Sequence, residues 1–388
     1  MIPRQLAEKA NSLLGQYPLL ALIGPRQSGK TTLAKFLRPD YQYINLELTE
    51  NRDFAVSDPH GFLQTYQKGV ILDEVQTTPE LFPYLKHYTD QRNIVGEYIL
   101  TGSQNFLLLE KITQSLAGRV ALLQLLPLSL NELSAGGYPT DDSNLFMHTG
   151  GYPRIYDKKI APSDFYPSYI STYIERDVRQ ITKVTDLRLF RQFLAICAGR
   201  VGQLVNFVEM GNILGIDHKT VKSWISLLEA SFIIYLLPPY HRNFDKRIIK
   251  SPKLYFYDTG LVCSLLNIQD TTQLNTHFAK GALFENMIVV ELLKQYIGDS
   301  KNTAFYFWQD SNMREIDLII EESNRLKAIE IKSGKTLHSD FFKNLTMFQE
   351  LAKAENVLSF LVYGGDMAQN RTNAEVLPWH QVNSISNS

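Results

Sequence analysis

Eight residues, Gly24-Pro25-Arg26-Gln27-Ser28-Gly29-Lys30-Thr31, follow the spacing G-x-x-x-x-G-K-T. That spacing suits a backbone that wraps a polyphosphate. Gly24 and Gly29 let the chain curl around an anion without a Cβ clash. Loop N–H groups and the N-terminus of a following helix then face the phosphates. Lys30 would reach the β- and γ-phosphates of ATP, and the Thr31 hydroxyl would ligate Mg²⁺. Pro25, Arg26, Gln27, Ser28 and Thr32 complete the expected nucleotide-binding set. The plainer reading is an ordinary strand-to-helix turn.

A second chemical stretch is Gly69-Val70-Ile71-Leu72-Asp73-Glu74. An apolar run ending in two acids reads as a buried parallel strand with carboxylates at its C-terminal edge, where ligands bind in open α/β sheets. Asp73 would orient Mg²⁺ or its water, and Glu74 would polarise the attacking water. Alone, such a pair is more often a surface turn; coming after a phosphate loop, it favours the metal reading. Downstream, Tyr98-Ile99-Leu100-Thr101 reads as another strand, followed by Gly102-Ser103-Gln104-Asn105. A polar residue there would lie between the phosphate loop and the acidic strand. Ser103 is the first choice, with Thr101 and Asn105 behind it, against a simple turn. Arg119 would touch phosphate in cis, or in trans as an arginine finger; a surface salt bridge is the competing reading.

These groups need a scaffold. Leu19–Ile23 is apolar and short enough for a buried strand, and residues 32–37 begin a helix. Residues 4–14 suit a leading helix, 41–46 a second strand and 121–125 another. This is α/β patterning with a parallel sheet and flanking helices.

At these residues the chain resembles the AAA-type branch of P-loop ATPases. More closely, it is similar to prokaryotic ATPases whose AAA domain is fused to an uncharacterised C-terminal region. The resemblance rests on the phosphate loop, Leu72-Asp73-Glu74-Val75-Gln76, Leu100-Thr101-Gly102-Ser103, Leu116-Ala117-Gly118-Arg119 and Gly150-Gly151-Tyr152-Pro153-Arg154. In related ATPases a Gly-x-Pro element at the end of the core contacts the nucleotide. The resemblance implies such a contact at Pro153 and Arg154, where composition alone suggests a linker turn.

Beyond the core, residues 166–181 have helical periodicity, with Tyr169, Tyr173 and Val178 inward. Their cluster Glu175-Arg176-Asp177 suits either a lever or a solvated helix face. Phe207–Leu214, a turn at Gly215-Ile216-Asp217, a helix over 218–231 and a strand over 233–237 follow the order of a winged helix-turn-helix. Lys219, Lys222 and Ser223, with Arg242, Lys246, Arg247 and Lys250, would carry DNA binding. The lysines are few and sit beside Glu229, so a structural or protein-contacting module competes with the DNA reading.

The last third holds an amphipathic helix pattern over 281–295 carrying Glu285, then strands over 304–308, 314–320 and 328–332. Period two puts Glu330 and Lys332 on one face, and hairpin pairing would bring Asp317 beside them. The set resembles the restriction-endonuclease-like fold, with its Asp, Glu-x-Lys and upstream Glu. That resemblance implies that Asp317 and Glu330 ligate metal, Lys332 orients the nucleophile and Glu285 completes the site. An inactive binding module is the alternative. Residues 383–388 are polar and expected to be disordered.

Bulk properties narrow the partners. The 388 residues are 44% hydrophobic and 20% charged, with net charge −1. Such a chain is globular, and no global field draws it to nucleic acid or membrane. Cys197 and Cys263 lack metal-ligand spacing, as in a reducing cytoplasm. The first residues lack a signal-peptide core, and no apolar run suits a membrane span. The expectation is a cytoplasmic ATPase in three parts: an AAA-like domain over 1–150, a helical and winged-helix connector over 151–246, and a nuclease-like domain over 247–388. A protein partner and an oligomer are compatible with it. Two rivals remain: a nucleotide-gated, Mg²⁺-dependent DNA nuclease, and a nucleotide-bound scaffold that does not hydrolyse.

Overall fold

A computed structural model describes residues 1–67, 69–103, 115–174, 186–240, 250–299, 303–322, 325–352 and 356–387. The chain forms two compact units that interleave in sequence. One comprises Met1–Leu128, Tyr152–Arg154 and Ala230–Ile233; the other comprises Ser129–Gly151, Ile155–Glu229 and Ile234–Ser388.

The first unit is built on β1 (Leu19–Ile23), β2 (Gln42–Asn45), β3 (Val70–Asp73), β4 (Tyr98–Gly102) and β5 (Val120–Gln124). They lie in the order β2-β3-β4-β1-β5, and every pairing is parallel. β1, β3 and β4 are buried along their whole length. A parallel sheet covered on both faces requires that, which is why these strands read as unbroken apolar runs. Helices α1 (Leu6–Leu14), α2 (Lys30–Leu37), α3 (Thr49–Ser57), α4 (Pro59–Thr65) and α5 (Phe82–Arg92) accompany the sheet. Leu6, Ala10 and Leu14 of α1 and Leu33, Ala34 and Leu37 of α2 share one core with Leu20, Leu22, Ile71 and Ile99. Full burial of each such leucine or isoleucine contributes roughly 1.5–3 kcal/mol. The arrangement is that of a P-loop NTPase sheet. Its key consequence is that β4 lies between β1 and β3, so the ends of all three strands meet at one edge.

After β5 the chain is helical: α6 (Leu130–Ala135), α7 (Ser143–Thr149), α8 (Pro153–Lys158), α9 (Pro162–Tyr169), α10 (Leu187–Gly199), α11 (Phe207–Leu214) and α12 (His218–Ala230), all in the second unit but for Pro153, Arg154 and Ala230. α9 runs into a π-helical turn at Ile170–Ile174. Pro167 sits inside α9 and has no amide to donate. Tyr169 is buried and Tyr173 half-buried; Glu175, Arg176, Asp177 and Val178 lie outside the described residues. Asn206 caps α11 through the Glu209 amide, and Gly215 closes it in the left-handed region. After α12, β6 (Ile234–Leu237) pairs antiparallel with β7 (Lys253–Phe256). Arg242, Lys246 and Arg247 lie outside the described residues, and Lys250 is exposed.

Next come α13 (Thr259–Leu265), α14 (Thr271–Thr276), α15 (Lys280–Gly298), β8 (Ala304–Gln309), β9 (Glu315–Glu322), β10 (Arg325–Lys332), α16 (Lys343–Leu351), β11 (Val357–Tyr363), β12 (Gln369–Arg371) and β13 (Ala374–Pro378). The strands form one mixed sheet in the order β12-β13-β11-β10-β9-β8. β8, β9 and β10 run as antiparallel neighbours, and β10 is parallel to β11. Ile316, Ile319, Leu345, Phe348 and Leu361 are at the centre of its core.

Two expectations change. α15 is not an amphipathic surface helix: its buried residues run consecutively from Asn286 to Leu292, with Leu283, Phe284 and Tyr296 besides. It packs on β7, β10, α7 and the C-terminal segment, so nearly every side needs an apolar or satisfied residue. Asn286 is satisfied by the amide and carbonyl of Phe256, at 2.7 and 2.8 Å. The polar tail is also ordered through residue 387. Trp379–Asn387 forms a 3-10 helix with Val382 and Ile385 wholly buried, and Lys327 Nζ, itself fully buried, donates to the Ile385 carbonyl at 2.7 Å. Two apolar residues among the serines and asparagines suffice to dock it. Among the described residues, no helix is long and apolar enough to cross a membrane.

Candidate active site

The loop between β1 and α2 has the geometry that its glycines allow. Gly24 has φ +148°, and a Cβ there would lie 2.1 Å from the Leu125 carbonyl oxygen. Gly29 has φ +96°, and Gln27 also sits in the left-handed region. Lys30 opens α2 and is 5% exposed. Its ammonium donates to the Gly24 and Pro25 carbonyls at 3.0 and 2.8 Å, which holds it over the loop. The Ser28 hydroxyl is buried, with no hydrogen-bond partner among the described residues. Arg26 pairs with Glu47 at 3.5 Å. Thr32 is exposed on the first turn of α2.

Two neighbours of the loop come from far away in sequence. Arg4 donates through Nη1 to the Ser28 carbonyl at 2.7 Å and through Nη2 to the Leu126 carbonyl. A Cβ on Gly29 would meet Arg4 Nη1 at 3.6 Å and Pro153 Cγ at 3.9 Å. Pro153 therefore lies beside the loop, while Arg154 is exposed. Arg4 carries no local motif, and nothing in its sequence surroundings marks it.

The acidic strand meets the loop through hydroxyls. Thr31 Oγ1 lies 3.1 Å from both Asp73 carboxylate oxygens. Tyr43 OH donates to Asp73 at 2.6 Å, and Thr101 Oγ1 donates to the same carboxylate. Burial, then the Asp73 hydrogen bond, raises the Tyr43 phenol well above its usual range, so it remains a donor. Glu74 takes a left-handed backbone, φ +56°, uncommon for a side chain with a Cβ. Its amide donates to Thr101 Oγ1 at 3.4 Å. Ser103 Oγ donates to Glu74 Oε2 at 2.9 Å, and Gln76 donates to the same oxygen. Thr101 thus serves Asp73 and Ser103 serves Glu74, because β4 separates the two motif strands. Asn105 lies outside the described residues. The oxygen-only set of Thr31 and Asp73 suits a hard divalent cation such as Mg²⁺, beside a loop with a buried hydroxyl still unspent.

Arg119 falls elsewhere. Its carbonyl accepts from the Leu19 amide at 3.2 Å, at the start of β1, whereas the phosphate loop follows the end. Five strand residues separate those points by about 16 Å. The guanidinium pairs with Asp90 through Nε and Nη2 on an exposed face. That position corrects the expected phosphate contact in cis; the surface salt bridge is what forms.

The C-terminal carboxylates gather in the second unit. The Ile331 amide donates to Asp317 Oδ2 at 2.7 Å. Lys332 Nζ reaches Glu330 Oε2 at 2.6 Å and Asp317 Oδ2 at 3.4 Å. Glu285 accepts from Tyr255 OH at 2.6 Å and from Lys253 Nζ at 3.3 Å. Lys253 also pairs with Glu315, and neither residue is marked by the sequence pattern. Burial, with the Asp317 charge, pushes Glu330 up to about 8; burial also pushes Glu285 up to about 7. Burial opposes ionisation of Asp317 as well, but Lys332, Lys253 and the Ile331 amide together hold it below the usual range. Among the described residues, no three histidine, cysteine or acidic side chains converge as a metal cage. Each carboxylate of this group is matched by a lysine instead.

Comparison with known proteins places this geometry. The model of the AAA domain matches residues 16–134. Residues 140–272 and 280–382 match two domains of unknown function (DUF8612 and DUF4143). An uncharacterized protein of Mycobacterium tuberculosis is 28% identical over 336 residues, spanning 86% of this chain and 74% of that protein. An uncharacterized protein of Haemophilus influenzae is 22% identical over 341 residues, spanning 79% of this chain and 80% of its own. Among solved structures, the Walker-type ATPase of Pyrococcus abyssi aligns with a TM-score of 0.45 and 15% identity, over 68% of this chain and 96% of that one. The AAA-domain match over residues 16–134 and the parallel sheet together support an AAA-type P-loop domain in the N-terminal part.

Proposed function

We propose that the chain hydrolyses the β–γ bond of ATP and couples nucleotide state to its C-terminal unit. The observation that carries this reading is the hydroxyl-linked set Thr31, Asp73, Thr101, Ser103 and Glu74, gathered from the first turn of α2 and the C-terminal ends of β3 and β4 beside Lys30. In this reading the loop amides of Gly24 to Thr32 bind the phosphates, and Lys30 leaves its carbonyl partners for the γ-phosphate. Thr31 and Asp73 would hold Mg²⁺, which when bound would supply charge neutralisation on the phosphates. Glu74 accepts the proton of the attacking water, and Ser103 fixes the carboxylate that does so. Pro153 and Arg154 close the nucleotide side of the loop. Arg119 retains only a role in trans, which would require an oligomer. The test is steady-state ATP turnover for the wild type, Lys30→Ala and Glu74→Gln. Both variants should lose at least about 100-fold in kcat; a Lys30→Ala rate equal to wild type would sink the assignment.

A second reading, a nucleotide-gated DNA nuclease, draws on Lys332 bridging Asp317 and Glu330, with Glu285 close by. The element order α15-β8-β9-β10-α16-β11 supports a restriction-endonuclease-like unit, and α11-α12 followed by β6-β7 supports a winged helix. DNA incubated with the protein and Mg²⁺ or Mn²⁺ tests it. Cleavage that survives Asp317→Ala would belong to a contaminant.

A further inference from the structure

The phosphate loop is held at both ends by the two residues that follow β5. At its start, the Leu125 amide donates to the Ile23 carbonyl at 2.8 Å. The Leu125 carbonyl oxygen would lie 2.1 Å from a Cβ on Gly24, so this segment is seated against the first glycine of the loop. At the other end the link runs through a side chain. Arg4 donates through Nη2 to the Leu126 carbonyl and through Nη1 to the Ser28 carbonyl, the latter at 2.7 Å. One planar guanidinium therefore spans from the segment after β5 to the end of the loop. All of these residues belong to the first unit.

Helix α1 delivers the guanidinium. Leu6, Ala10 and Leu14 are buried in the core beside the sheet, and the Ala7 amide donates to the Arg4 carbonyl at 3.1 Å, at the head of the helix. Arg4 is half-buried, and its Nη1 would lie 3.6 Å from a Cβ on Gly29. A trans peptide is planar, so its carbonyl and its amide point to opposite sides. Fixing the Ser28 carbonyl on Arg4 thus turns the Gly29 amide away from Arg4. Gly29 is the N-cap residue of α2, and amides at a helix N-terminus are the ones an anion uses. Lysine at position 4 would keep the charge but lose the rigid fork that reaches two separate segments.

We propose that Arg4 is the positioning residue of the phosphate loop: it ties the end of the loop to the segment after β5 and sets the Gly29 amide before nucleotide arrives. The proposal rests on the nucleotide-site reading above. Its consequence is preorganisation. Without the tie, the Ser28-Gly29 peptide must be ordered on binding, which weakens affinity. That loss falls on substrate and transition state alike, so it appears in binding more than in rate.

The experiment uses the full chain as wild type, Arg4→Lys, Arg4→Gln and Lys30→Ala. A fluorescent, non-hydrolysable ATP analogue is titrated in the presence of Mg²⁺. Hydrogen exchange is followed without nucleotide, and steady-state ATP turnover supplies KM and kcat. Both Arg4 variants should bind the analogue about 10-fold or more weakly, and KM should rise more than kcat falls. Without nucleotide, exchange should quicken at residues 27–30 and stay at the wild-type rate at 19–23. An Arg4→Lys affinity within about twofold of wild type would overturn the proposal. So would a fall in kcat with KM unchanged, which marks an interaction made only in the transition state. Equal quickening at 19–23 would also overturn it, since that marks general loosening of the sheet. A wild type that binds the analogue no better than Lys30→Ala would overturn the nucleotide-site reading itself. Arg4→Lys serves alone if Arg4→Gln does not fold.

Discussion

Replacing Thr101 by valine removes one hydroxyl and little volume, at a site that is fully buried. That hydroxyl donates to Asp73 and accepts from the Glu74 amide. A hydrogen bond to a charged partner contributes about 1.5–3 kcal/mol, and a buried donor left unpaired costs about 1–3 kcal/mol. The Glu74 bond is long, 3.4 Å, so its loss belongs at the low end. Asp73 keeps Thr31 and Tyr43, which also moderates the loss. The sum is about 3 kcal/mol, or about a 100-fold rise in exchange rate for β1, β3 and β4 amides that open with the first unit. Native-state hydrogen exchange reads this directly, which matters because Trp224, Trp308 and Trp379 all lie in the other unit. Thr101→Ser retains the hydroxyl and should recover most of the protection. Exchange in Thr101→Val within threefold of wild type would refute the idea that this hydroxyl joins the two acidic residues. ATP turnover should fall in the same variant, since the left-handed Glu74 loses its amide anchor.

Two further outcomes follow from the same geometry. Gly24→Ala should abolish nucleotide binding and destabilise the first unit by several kcal/mol, because its Cβ would meet the Leu125 carbonyl at 2.1 Å; a thermal melt and an equilibrium nucleotide titration check this. Glu330 is raised from 4.5 to about 8, so the native state holds a proton that the unfolded chain releases. Its contribution to stability is present below about pH 4.5 and is lost as pH rises through about 8. Glu285, raised to about 7, acts in the same direction, whereas Asp317 is depressed and changes only in more acidic solution. Urea midpoints followed by tryptophan fluorescence from pH 5 to 9 should fall with pH in the wild type and fall less in Glu330→Gln. Identical slopes would contradict the assignment.

Much of the first unit was legible in the residues. Gly24, Gly29, Lys30 and Thr31 form a local device: the loop, the strand before it and the helix after it are contiguous, so one stretch specifies the whole part. The acids of β3 were legible for a similar reason, since a doubly covered parallel strand announces itself as an unbroken apolar run. The hairpin that brings Asp317 to the Glu330 strand also followed from strand period and short separation. The character of α15 did not follow. A helix buried on nearly all sides keeps apolar residues on the face that a surface helix would make polar, and its alternation misleads without the partners on each side.

What the sequence determined, then, is the chemistry available at each local stretch: a phosphate loop, an acid pair and a set of buried carboxylates. Tertiary structure decided which groups meet. Strand order put β4 between β1 and β3, assigning Thr101 to Asp73 and Ser103 to Glu74. It sent Arg119 to the far end of β1, brought Arg4 and Pro153 to the loop, and set lysines 253 and 332 among the carboxylates. None of these pairings is encoded by spacing, because a crossover connection frees the distance in space from the distance along the chain.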